Sequence, residues 1–201
     1  MPRLRYVLGL LFLSLPASLL GCDAIAEVVG VDEFDVSLGS NAQVPILPSS
    51  AGTVGTEARI DDRIPDVFDV SDISIPEDAV TFDAATPGAG RSGSSRCEVE
   101  LYIMVDEIPA LQSTIVVDDE ASPAVRSVTS RFAQAYTRSD ICSEFGGDCP
   151  VVSGSRTPEQ IRDRVNAAVD RRAFDLDIVA VNDGPCAGLL TIDRIHFELD
   201  F

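Results

Sequence analysis

The chain is poor in positive charge. Its 201 residues include no lysine, and all 15 basic residues are arginine, which we read as the imprint of a GC-rich genome. Asp and Glu together number 33, so the formal net charge is −18. A surface of that sign excludes nucleic acid as a partner, because phosphate contacts reward Lys and Arg. It also repels anionic lipid headgroups while keeping the protein soluble. Histidine is scarcer still: His196 is the only one, so a general base near neutral pH has one imidazole candidate. The chain has no C-x-x-C pair, no D-x-D-x-D-G loop and no G-x-S-x-G turn. Those absences remove the spacing signatures of zinc, EF-hand calcium and a serine nucleophile elbow. No internal repeat is visible. Nor is there an apolar run of the roughly 20 residues that a membrane-spanning helix needs.

What is present begins with an address. Arg3 and Arg5 supply a basic start, and Val7 to Leu20 is apolar except at Gly9, Ser14, Pro16 and Ser18. That length and those flanks fit a cleaved signal peptide. Leu19-Leu20-Gly21-Cys22 then places an aliphatic residue and a small residue before a cysteine. This resembles the lipobox of bacterial lipoproteins. The resemblance covers residues 1–22 alone. It implies cleavage before Cys22, a diacylglyceryl thioether on its sulfur and a fatty acyl chain, palmitate in kind, on its new amine. Several acyl chains, at ~0.8 kcal/mol per buried methylene, hold such a protein at a membrane without electrostatic help. Asp23 resembles the inner-membrane retention signal of enteric lipoproteins; inner and outer membrane both stay open. The expected location is the bacterial cell envelope, on the periplasmic face or the cell surface.

The remaining chain, 22–201, holds 13 arginines against 33 acids, a net charge of −20. It suits one domain with a real core. Residues 22–30 read as a tether and 31–201 as the domain. Four cysteines remain once Cys22 is lipidated, and an even number in an exported chain points to two disulfides. Three pairings are possible. Cys142–Cys149 is favoured because a turn-like loop separates them, which leaves Cys97–Cys186.

Period-2 alternation dominates. It marks strands at 31–38, 66–75 with a one-residue phase slip that suggests a bulge, 80–82, 97–105, 113–117 and 174–178, and one long strand over 189–201. Val44 to Leu47 reads as a short edge strand, since Pro45 denies a ladder bond. The rest of 39–56, rich in Gly, Ser and Pro, reads as holding no long element, and 85–96 as a flexible loop. Two helices are expected. One starts at Ser122-Pro123, with Val125, Val128, Phe132 and Tyr136 at helical spacing. The other starts at the capping box Thr157-Pro158-Glu159-Gln160, with Ile161, Val165, Ala168 and Val169 as its stripe. The fold class is therefore mainly β: an antiparallel, sandwich-like domain with a two-helix insertion at about 123–172. A terminal aromatic, Phe201, is also a feature of outer-membrane barrels, but these strands are too few and too acidic for lipid-facing bands.

Candidate chemistry is thin. His196 lies on the polar face of the last strand, where an exposed structural role is the plain reading. Ser92, Ser153 and Ser155 sit in loops without a nucleophile context. Asp175 and Asp177 share a strand face at about 7 Å, a spacing that suits paired carboxylates or a solvated face equally. Calcium is the one ion the loops match in donor type, through Asp118, Asp119, Glu120 and Asp183; no cofactor is required. The expected function is a non-enzymatic envelope lipoprotein that binds a protein or polymer of the envelope or plays a structural role. A hydrolase of envelope polymers and a calcium-dependent adhesion module are the alternatives.

Overall fold

The computed structural model describes residues 32–38, 42–60, 69–85, 96–118, 120–143, 145 and 149–200. The leader, Cys22 and the tether lie outside that range. So do Asp119 and the whole of 86–95, Ser92 included.

The domain is mainly β. Among the described residues thirteen strands run in the order β1 (Glu33–Ser37), β2 (Gln43–Ile46), β3 (Ser50–Arg59), β4 (Asp69–Ser74), β5 (Val80–Ala84), β6 (Arg96–Val105), β7 (Ile108–Asp118), β8 (Val125–Phe132), β9 (Tyr136–Thr137), β10 (Ser155–Arg156), β11 (Ala173–Asn182), β12 (Gly188–Ile192) and β13 (Arg194–Asp200). Among the described residues two α-helices lie between them, α1 (Arg138–Cys142) and α2 (Pro158–Asp170). All pairings among the strands are antiparallel. The large sheet has the order β3-β11-β6-β7-β8. Opposite it lie two three-stranded sheets, β2-β12-β5 and β1-β13-β4. Only Asp193 separates β12 from β13, and at that level Leu38 N donates to Asp193 O and Asp193 N to Ala79 O, each within 2.9 Å. The stretch read as one strand over 189–201 is thus a kinked strand serving two sheets.

The core fills the space between the layers. Alternating positions supply it: Val99, Leu101 and Ile103 on β6, Ile178 on β11, Ile195 and Phe197 on β13. Helix α2 seals one end. Its capping box is formed in full, Thr157 Oγ1 accepting from Gln160 N and Thr157 N donating to Gln160 Oε1. Its buried stripe is Ile161, Val165, Ala168 and Val169, as the spacing predicts. Outside the core, Arg164 and Arg171 reach Asp106 in the β6–β7 turn at 3.1 and 3.6 Å. The disulfides are Cys97–Cys186 and Cys142–Cys149. The first ties the start of β6 to the loop before β12.

Two expectations are corrected here. Residues 125–132 form strand β8, not the first helix. A bulge opposite Val116/Val117 leaves Arg126 without a partner, so Val125 and Val128 face inward three residues apart and imitate helical spacing. Tyr136 belongs to β9, and the first helix is the short α1, capped by Thr137. Second, the Gly- and Ser-rich stretch becomes part of the ten-residue strand β3. Small residues are needed there: a Cβ on Gly52 would lie 2.4 Å from Pro45 O on β2. The strand expected at 113–117 is present as the later half of β7, which pairs with β6. The phase slip after Val70 is a bulge as expected, since Leu199 pairs with Val70 while Glu198 pairs with Asp72.

Candidate functional site

His196 sits on the outer face of the β1-β13-β4 sheet. Its Nδ1 is 2.9 Å from Asp35 Oδ1 and its Nε2 is 3.5 Å from Glu33 Oε2. Asp35 is the direct cross-strand partner of His196, and Ser74 stands opposite it on the other flank. Asp35, His196 and Ser74 therefore form one row across three strands. No hydrogen bond joins Ser74 to the imidazole; Nε2 faces Glu33 instead. Arg194 continues the polar network between Asp35 at 3.2 Å and Asp78 at 2.8 Å. Its guanidinium holds the Asp78 carboxyl below the usual carboxylate range. This is a ladder of paired charges on an open sheet face.

The other candidates are scattered. Asp175 and Asp177 are exposed on one face of β11, opposite Glu57 and Gly55. Ser153 and Ser155 are exposed near α2. Asp118 meets Arg126 at 3.8 Å and accepts from Glu120 N at 3.3 Å. Asn182, which precedes Asp183, is buried and committed. Its Nδ2 donates to Leu47 O and Cys186 O, both at 2.9 Å, and its Oδ1 accepts from Gly184 N at 3.0 Å. The loop read as a calcium candidate is thus held by an amide that ties together the turn beside the disulfide. Among the described residues no group of three or more His, Cys, Asp or Glu is placed to share a metal ion.

A pocket of about 170 Å³ lies elsewhere, on the outer face of the large sheet. Its floor is one cross-strand row, Tyr102 on β6, Gln112 on β7 and Arg131 on β8. Gln134, Tyr136 and Asp140 form the wall where the chain turns from β8 through β9 into α1. The wall is stiffened from behind. Arg138 Nε donates to Val151 O at 2.9 Å, the Cys142–Cys149 disulfide closes the loop, and Phe145 packs on Tyr102 with ring centroids 5.7 Å apart. The polar groups divide by kind. Gln112 Nε2 donates to Glu100 and Tyr102, and Gln134 Nε2 donates to Phe132 O. Their amide oxygens are left as acceptors. Asp140 accepts from Thr137 N at 3.0 Å, and the hydrogen bonding of Thr137 lowers its pKa. On the donor side, Arg131 makes no ion pair or hydrogen bond among the described residues. The Tyr136 hydroxyl is buried with no partner, and burial pushes its pKa up.

The chain matches no protein-family model, no curated protein and no solved structure.

Sequence reasoning missed this pocket for identifiable reasons. The helical spacing places Phe132 and Tyr136 on one stripe, and nothing in it singles out Arg131. One signal was present. Tyr102 shares the acidic face of β6 with Glu98 and Glu100, yet it is 1 % exposed. A large aromatic on the solvent-reading face of a strand asks for something to cover it.

Proposed function

We propose that this chain is a lipid-anchored, non-enzymatic protein of the bacterial envelope whose extracytoplasmic β domain binds another envelope component. The observation that carries the reading is Leu19-Leu20-Gly21-Cys22 behind a basic and apolar leader. Two cross-linked cysteine pairs support it, because disulfides persist in oxidising compartments. Intact mass of the membrane-extracted protein, with and without reduction and alkylation, tests it. The expected mass is that of the chain from Cys22 bearing acyl groups, with four thiols alkylated only after reduction. An unlipidated mass, or thiols that alkylate without reduction, overturns it.

A second reading, hydrolysis of envelope polymers, draws on the Asp35–His196–Ser74 row. Its test is purified protein against its own envelope polymers beside His196→Ala and Ser74→Ala. Cleavage lost in both variants would replace the binding reading. A calcium-dependent adhesion module is the remaining alternative; equal melting midpoints in Ca²⁺ and in EDTA would dismiss it.

A further inference from the structure

We propose that the pocket over Tyr102, Gln112 and Arg131 takes a free α-amino acid; this deepens the binding reading above and rests on it. The argument starts from two opposite charges in one small space. Arg131 and Asp140 line the same pocket and form no ion pair with each other. Arg131 brings a guanidinium cation. Asp140, its pKa lowered, is ionised as well. Both residues are exposed at the edge of the same pocket, so a molecule bound there meets one charge of each sign.

The uncharged groups divide the same way. An α-ammonium has three N–H donors and no acceptor. Gln112 uses both of its amide N–H groups and Gln134 one of its two, so each has its carbonyl oxygen left as an acceptor in the pocket that Asp140 also lines. That makes three acceptors for three donors. An α-carboxylate offers acceptors only, and the guanidinium of Arg131 presents a fork of donors that matches it. The Tyr136 hydroxyl, buried without a partner, adds one more donor. A buried hydroxyl left unpaired is unfavourable, and a ligand oxygen relieves that. The volume also limits the ligand. About 170 Å³ equals the share of five or six waters at roughly 30 Å³ each, which suits a single residue rather than a peptide. Of the apolar lining, Ile141 keeps a little accessible surface for its side chain, while Tyr102 is covered.

Isothermal titration of the full lipoprotein in detergent tests this. The probes are the common L-amino acids, their N-acetyl and C-amide derivatives, and neutral monosaccharides. At least one free amino acid should bind at 1:1 stoichiometry. Blocking either of its charges should weaken binding about tenfold or more, because each block removes a charge-assisted hydrogen bond. Arg131→Gln and Asp140→Asn should do the same, while Tyr136→Phe should weaken binding without lowering the melting midpoint of the free protein. Equal binding of the blocked forms overturns the proposal, as does amino-acid binding indifferent to Arg131→Gln. Binding of monosaccharides alone overturns it while leaving a binding protein. If no probe binds, the proposal fails, and recovery of a crosslinked envelope partner from intact membranes then decides the broader reading by itself.

Discussion

The two disulfides close loops of very different length, and that difference sets how much each stabilises. Cys97 and Cys186 are 89 residues apart, Cys142 and Cys149 only 7. A cross-link stabilises mainly by restricting the unfolded chain, by a fixed term plus one that grows with the logarithm of loop length. On that relation the long loop contributes about 4.6 kcal/mol at 25 °C and the short one about 2.4 kcal/mol. Packing adds to the gap. Cys97 and Cys186 are 5 % and 0 % exposed, so removing their sulfurs also leaves space in the core, whereas Cys142 and Cys149 are only partly buried. The perturbation is a pair of double variants, Cys97→Ala with Cys186→Ala and Cys142→Ala with Cys149→Ala. For a domain of this size 1 kcal/mol shifts the melting temperature by about 2–4 °C. The long-loop variant should therefore lose about 9–18 °C and the short-loop variant about 5–10 °C. Urea unfolding of both, fitted for midpoint and slope, gives the free energies directly. A short-loop variant that loses as much as the long-loop variant, or more, would refute the reasoning.

Asn182→Ala should cost about 3 kcal/mol, because it leaves two carbonyls and one amide N–H unpaired in a buried turn; a urea midpoint within error of the parent would show that water replaces the amide. Asp106 and Glu107 both have positive φ in the β6–β7 turn, at 51° and 63°. That geometry is the one Asn-Gly favours, so Glu107→Gly should raise stability by about 0.5–1 kcal/mol, and a lower chemical midpoint would count against it. The lowered pKa of Asp140 fixes a sign: its contribution is present above the ordinary value of 3.8 and is lost as pH falls through its folded value. The stability deficit of Asp140→Ala should thus be clear at about pH 7 and shrink towards about pH 2, as followed by urea midpoints across pH. A deficit unchanged by pH would mean that the carboxylate charge has no part in the cap.

What could be read from the sequence followed one physical rule. Strands with one face in the core announce themselves by alternation, and β1, β6, β11 and β13 did so. The second helix did so too, because capping chemistry is local and Thr157 to Gln160 carry all of it. The misreadings fall where local pattern and tertiary pairing diverge. Strand β3 shows almost no alternation, because it needs Gly52 for a close approach and its buried positions include Thr56 and Ala58. The pocket shares that cause, since its floor is a row across three strands and only register brings Tyr102, Gln112 and Arg131 together. Strand β8 is the sharpest case, and it can be tested. If 125–132 were a helix, deleting Arg126 would turn one side of the deletion by about 100° relative to the other and break the stripe. In the bulged strand Arg126 is the unpaired residue, half-exposed, with a contact at 3.8 Å to Asp118 as its ion pair. Deleting it joins Val125, opposite Val117, directly to Ser127, opposite Val116, and every later residue keeps its face. The deletion should therefore leave cooperative unfolding intact and cost less than about 2 kcal/mol. Loss of the cooperative transition would mean that the bulge itself is required, or that β8 does not pair with β7 in this register.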